Sequence, residues 1–144
     1  MRSGLPLIPG ASEASAFDVE VFFDGECPLC VREIRLLRRL DKAARIRFTD
    51  IQAAGFNLAD VGLTHAALMR HIHGRLATGR IIQGVEVFRQ LYSAVGFRRL
   101  VAATRWPGVR QLLDAAYSLF ARNRLRLTGR CTPELCAAPD ADRR

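Results

Sequence analysis

Val19-Glu20-Val21-Phe22-Phe23-Asp24-Gly25-Glu26-Cys27-Pro28-Leu29-Cys30 is the stretch whose reading decides the fold. Its first half, with Phe17 ahead of it, is a β-branched and aromatic run that reads as a buried strand over 18–23, and Asp24-Gly25 supplies the turn that ends it. The second half opens a helix. Pro28 suits a first helical position, where the missing N–H would have had no partner anyway. Val31, Ile34, Leu37 and Leu40 continue as an apolar stripe of helical period, which carries the helix over about 28–41. A C-x-x-C pair thus stands where a strand hands over to an amphipathic helix.

That placement points to redox chemistry. The nucleophile of a cysteine is its thiolate, and the unpaired N–H groups of a helix's first turn favour negative charge. Cys27 is therefore expected to be the nucleophile and the more exposed thiol, with Cys30 one turn inside, shielded and within bonding reach. The division of labour that follows is attack by Cys27 on a disulfide and resolution of the mixed disulfide by Cys30. Asp24 and Glu26 oppose thiolate formation, whereas Arg32 and Arg35 favour it. Asp24, three residues before Cys27, has two readings: a proton acceptor during exchange, or a residue that caps the helix and shapes the turn.

Downstream, Arg45-Ile46-Arg47-Phe48-Thr49-Asp50-Ile51 alternates and predicts a second strand, which completes a β-α-β unit. Such crossovers are right-handed, so the two strands are expected to be parallel neighbours. A loop with a short helix is expected over 52–63, a strand over 67–72, a turn from Gly74 to Gly79 and a further strand over 80–83. Gly84 then opens a helix with Val85, Phe88, Leu91 and Tyr92 on its apolar face. A helix over about 98–104 ends at Trp106-Pro107-Gly108, and Val109, Leu112, Leu113, Ala116, Tyr117 and Phe120 follow at helical spacing. This stripe predicts a packing face, with Trp106 and Tyr117 as core or rim aromatics. The chain divides into a loose leader over 1–17, a core over 18–98, a helical extension over 99–128 and a cysteine-containing tail over 129–144.

The 144 residues are 49% hydrophobic with no Ser/Gly/Pro-rich connector in the middle, which predicts one well-filled domain. No apolar stretch approaches the roughly 20 residues needed to cross a bilayer, and Leu5 to Ile8 is too short for a secretion signal. The expected compartment is cytoplasmic, where four cysteines read as catalytic or metal-binding rather than as a permanent disulfide framework. The formal charge of +8 comes from 22 basic residues against 14 acidic ones, with Arg122, Arg124, Arg126 and Arg130 concentrated near the C-terminus. This run reads as a solvated face, or as arginine stems over apolar surface. Nucleic acid is not expected as a partner, because no nucleic-acid-binding motif accompanies it.

Asp24, Cys27 and Cys30 match the D-x-x-C-x-x-C signature of the DCC family of thiol-disulfide oxidoreductases, and the chain resembles that family well beyond it. Phe22 to Cys30 resembles the family's entry strand and turn, Gly84-Val85-Glu86-Val87-Phe88 its G-x-x-x-F helix start, and Ala116 to Arg124 its Y-x-x-F-A-x-N-R region. The likeness covers about residues 18–136. It implies an α/β, thioredoxin-like β-α-β…β-β-α core with a C-terminal helical extension. It also implies dithiol-disulfide exchange with Cys27 and Cys30 as the redox pair. Disulfide-containing or dithiol proteins or small molecules would be the substrates, and no bound organic cofactor is needed because the two sulfurs carry the electrons. In one respect the chain departs from thioredoxins, which place a cis-proline before the third core strand, opposite the cysteines. No proline occurs between Pro28 and Pro107, and Thr64, His65 or Ala66 is expected in that region.

Other residues offer further chemistry. Cys131-Thr132-Pro133-Glu134-Leu135-Cys136 is a second close pair, readable as an auxiliary redox relay or as irrelevant to the chemistry. Together with Cys27 and Cys30 it also makes a four-thiolate zinc set, which would turn the protein into a non-catalytic metal-binding module. His71 and His73, two apart on an expected strand, would share one face and offer two metal ligands, although surface or groove positions suit them better. His65 is a candidate proton shuttle if it stands near Cys27. A basic polyanion-binding adaptor is the third reading of the whole.

Overall fold

The computed structural model describes residues 17–129. Strand β1 (Val19–Phe23) is followed by helix α1 (Pro28–Leu40) and strand β2 (Ile46–Asp50). The two strands pair in parallel with Phe23 opposite Asp50, as neighbours joined by a helical crossover do. A short 3-10 turn (Leu58–Asp60) and helix α2 (His65–Arg70) lead to β3 (His73–Leu76), β4 (Ile81–Gln83) and helix α3 (Val85–Ala94). β3 runs antiparallel to β1 and β4 antiparallel to β3, so the four-stranded mixed sheet has the order β2-β1-β3-β4. Helices α4 (Arg98–Ala103) and α5 (Pro107–Leu127) follow. This is the thioredoxin-like α/β arrangement.

β1 is buried along its whole length, because both faces of the central strand are covered. Val19, Val21 and Phe23 meet Ile34 and Leu37 of α1 and Val87 and Leu91 of α3 in the main core. On the other face Phe22 packs with Ile51, Leu68, Met69 and Leu125. That face also buries Glu20, whose carboxylate accepts from Thr49 at 2.6 Å and from Arg75 Nη2 at 2.6 Å. Leu37 and Leu91 have no exposed surface, so truncating either to alanine would cost about 2–5 kcal/mol.

Four expectations are corrected here. The apolar run 67–72 is not a strand: His65–Arg70 is helical and β3 begins at His73. Thr64 caps that helix, its Oγ1 accepting from the Ala67 N–H at 3.1 Å, and Ala, Leu and Met are strong helix formers. Gly74 therefore lies inside a strand, where a Cβ would come within 2.8 Å of the Glu20 carbonyl oxygen, and the turn is confined to the residues around Gly79, at φ +88°. The apolar face of α3 centres on Val87 and Leu91, with Val85, Phe88 and Tyr92 only partly covered. The stripe along α5 is mostly exposed as well. Trp106 retains 70% of its surface, Leu112 retains 69%, and burial in α5 is confined to Ala121, Arg124 and Leu125, where its C-terminal turns reach the body of the protein.

Candidate functional site

The site is built at the end of β1. Asp24 is buried, and its Oδ1 accepts from the Glu26 N–H at 3.0 Å while its carbonyl accepts from the Cys27 N–H at 3.1 Å. It therefore shapes the turn. Gly25 is held from the neighbouring strand: its N–H donates to Asp50 Oδ1 at 2.9 Å, and the same oxygen accepts from the Gln52 N–H at 2.9 Å. A Cβ on Gly25 would fall 1.9 Å from Asp50 Oδ2, so the carboxylate occupies the space only a glycine leaves. Asp50 was not singled out from the sequence. Its signal was present in the parallel register, which sets it opposite Phe23, one step from the turn.

Cys27 is the N-cap of α1, with extended backbone angles and a sulfur that accepts from the Cys30 N–H at 3.4 Å. Both sulfurs are free thiols. Their exposure reverses the expectation. Cys27 is only 1% exposed, whereas Cys30 is half-buried. The first turn folds the Cys27 side chain inward over its own N–H donors and leaves Cys30 on the flank of the helix. The two sulfurs also face different spaces. Cys30 borders an apolar cavity of about 220 Å³ lined by Phe22, Leu37, Phe88, Leu91 and Tyr117 among others, and Cys27 borders a surface groove shared with Glu26, Pro28 and Arg32.

Burial pushes the Cys30 thiol up to about 12, aided by its contact with Cys27 and by the charges of Cys27 and Asp24. Among the described residues, the guanidinium of Arg124 opposes this rise. Arg124 is 7% exposed, with Nη1 3.6 Å from Cys30 Sγ and Nη2 donating to the Met69 carbonyl. Arg32 and Arg35, the cations expected to favour thiolate formation, lie exposed on α1, and the cation that acts on Cys30 comes from α5. The reading of the C-terminal arginines as a solvated face thus fits Arg122 and Arg126 and fails for Arg124. Beside it, the Tyr117 hydroxyl accepts from the Ile72 N–H at 2.8 Å, and burial pushes that phenol up.

The segment ahead of β3 is His71-Ile72 and not Thr64 to Ala66, a consequence of the shifted strand. Among the described residues there is no cis peptide bond. Ile72 already has partners for both backbone groups, Tyr117 Oη for its N–H and the Gly84 N–H, at 3.0 Å, for its carbonyl. His65 sits exposed on the first turn of α2 and borders neither the cavity nor the groove that the cysteines line. His71 ends α2, while His73 is buried on β3 with Nδ1 2.9 Å from the His71 carbonyl oxygen, so the pair does not share a strand face. Among the described residues no three His, Cys, Asp or Glu side chains gather in a way that would hold a metal ion. Cys131 and Cys136, and with them the four-thiolate zinc set and the redox relay, lie outside the described residues.

Residues 21–130 match the family model described as DCC1-like thiol-disulfide oxidoreductase. The chain is also 36% identical, over 114 residues, to an uncharacterized chloroplastic protein of Arabidopsis thaliana. That alignment covers 78% of this chain and 53% of the plant protein, so the chain spans about half the length of the curated relative it matches. No solved structure matches the chain. No helix among the described residues is long and apolar enough to cross a membrane.

Proposed function

This chain belongs to the DCC1-like thiol-disulfide oxidoreductase family, and from that premise we propose that Cys27 and Cys30 are its dithiol-disulfide couple, with Cys27 attacking and Cys30 resolving. The observation that carries this reading is the first turn of α1. It sets Cys27 Sγ on the Cys30 N–H and holds two free thiols within one turn. The substrates are thiols and disulfides, of protein or of small molecules.

The exchange runs in two displacements. The Cys27 thiolate attacks one sulfur of a disulfide R–S–S–R′, a Cys27–S–S–R bond forms, and R′S⁻ leaves and takes a proton from solvent. Cys30 then loses its proton and attacks Cys27 Sγ, the intramolecular disulfide forms, and RS⁻ leaves. Two electrons pass from the dithiol to the substrate. The elevated Cys30 thiol supports this order, because it keeps its proton while Cys27 is free. Once Cys27 is bound in a mixed disulfide, its charge no longer opposes ionisation of Cys30. Different spaces beside the two sulfurs suit the geometry too, since a displaced sulfur needs its attacking and leaving partners on separate sides. Burial of Cys27 means that attack follows an opening of the turn 24–28 toward the groove. Asp24 holds that turn, and its structural role is the one its hydrogen bonds support.

Trapping tests the assignment. Incubated with bis(2-hydroxyethyl) disulfide, the Cys30→Ser chain should accumulate a mixed disulfide mapped by mass spectrometry to Cys27, while the unaltered chain passes on to the Cys27–Cys30 disulfide. Undiminished turnover in the Cys27→Ser, Cys30→Ser double variant would defeat the reading.

A further inference from the structure

Arg124 brings a permanent positive charge into a position that is 7% exposed. A buried charge is ordinarily paired. Yet among the described residues Arg124 takes part in none of the ion pairs with carboxylates. Its Nη2 is held by the Met69 carbonyl in the last turn of α2, an acceptor that the end of a helix leaves open. With Nη2 so held, Nη1 lies 3.6 Å from Cys30 Sγ. A cation held at that distance from a thiol, with no ion-paired carboxylate among the described residues, has its natural counter-ion in the thiolate.

We propose that Arg124 is a catalytic residue of the exchange, supplying the positive charge against which the Cys30 thiolate forms and attacks the mixed disulfide. The inference rests on the assignment of Cys27 and Cys30 as the couple and adds to it a group from the far end of the chain. In the resolving step the Cys30 S–H loses its proton to solvent, and the thiolate forms beside Nη1. Its electron pair then makes the bond to Cys27 Sγ as the Cys27–S–R bond breaks, and RS⁻ carries the released pair away to be protonated. The protein is oxidised by two electrons and the substrate disulfide is reduced to two thiols.

The other groups around Cys30 do not offer this charge in the same way. Cys27 and Asp24 both raise the thiol, and Glu33 of α1, which lines the same cavity, is a further acid whose Oε1 accepts from the Tyr92 hydroxyl. Tyr117 is a neutral phenol that accepts from Ile72. Arg70 lines the cavity from α2, while among the described residues the cation that lowers the Cys30 thiol is Arg124. An opposite charge at such a distance ordinarily shifts a titration by one to three pH units. The effect therefore belongs to α5, which completes a site that α1 begins.

The test measures the pH dependence of Cys30 alkylation by iodoacetamide, resolved by peptide mass spectrometry, in the full-length chain with Cys27→Ala so that the thiol–thiol coupling is absent. Arg124→Gln retains a donor for the Met69 carbonyl but removes the charge, and should move the Cys30 midpoint upward by about one unit or more. Arg124→Lys retains the charge with a different shape, and should keep the midpoint within about half of that shift. With Cys27 present, Arg124→Gln should slow disulfide turnover at pH 7 by roughly ten- to a hundredfold. A midpoint unchanged in the Gln variant, with far-UV circular dichroism intact, overturns the role of Arg124 and leaves the couple standing. If the Gln variant does not fold, a Lys variant whose midpoint rises by more than one unit overturns the role by itself. Turnover that survives loss of both Cys27 and Cys30 instead overturns the couple, and the catalytic role of Arg124 with it.

Discussion

The two sulfurs of the site are held by opposite means. Cys27 is placed by its immediate neighbours, as the cap of α1 over the Cys30 N–H, in a turn to which Asp24 and, from the adjoining strand, Asp50 contribute hydrogen bonds. Cys30 answers to a side chain 94 positions further along, Arg124, brought in by a helix that meets the body from Tyr117 onward. Backbone dipoles from a local turn and a full charge from a distant helix are different instruments. The first is built whenever the strand-turn-helix unit folds, whereas the second requires α5 to be docked. In the proposed couple, the attacking half is therefore set mainly by the turn itself, and the resolving half depends on the docking of α5.

That contrast can be broken at several points. Cys27→Ser removes the sulfur proposed to attack and should lower turnover of bis(2-hydroxyethyl) disulfide at least about a hundredfold. Gly25→Ala drives a methyl into the Asp50 carboxylate and should destabilise the fold by about 3 kcal/mol in a urea titration, near the top of the overpacking range, because a displaced carboxylate also gives up the Gly25 and Gln52 N–H groups. Asp50→Ala leaves the Gly25 and Gln52 N–H groups without their acceptor and should cost about 2 kcal/mol by the same measurement. Tyr117→Phe deprives only the Ile72 N–H, at the junction of β3 and α5, and should cost about 1 kcal/mol.

Titration sharpens the same comparison. With its thiol pushed up to about 12, Cys30 in the reduced protein is almost wholly protonated at neutral pH. Its alkylation rate should therefore climb about tenfold per pH unit from pH 7 to pH 11, because only the thiolate reacts. A plateau below pH 9 would show that the burial and the Cys27 contact do not hold the proton.

The local half of this arrangement was legible in the sequence. A β-branched run, Asp24-Gly25 and Pro28 fix strand, turn and helix from neighbours alone, and the β-α-β handedness rule then places β2 beside β1. What the sequence did not show is what depends on distant partners. Ala67 to Ile72 is a short apolar run that suits a helix or a strand, and the Thr64 cap decided it. The α5 stripe has helical period without a surface to cover its first half, since periodicity reports a face and not what the face meets. Arg124 stands among exposed arginines of identical chemistry, and only its docking beside Met69 and Cys30 distinguishes it from Arg122 and Arg126. The burial of Cys27 was missed for a related reason: a helix cap says which donors a sulfur meets, not whether solvent reaches it.

The most direct measurement is a redox titration of the full-length chain in glutathione buffers, with the disulfide mapped by peptide mass spectrometry across poises of about −120 to −320 mV. The account predicts one two-electron transition in which a bond joins Cys27 to Cys30. If no Cys27–Cys30 disulfide forms anywhere in that range, these thiols are not a redox couple.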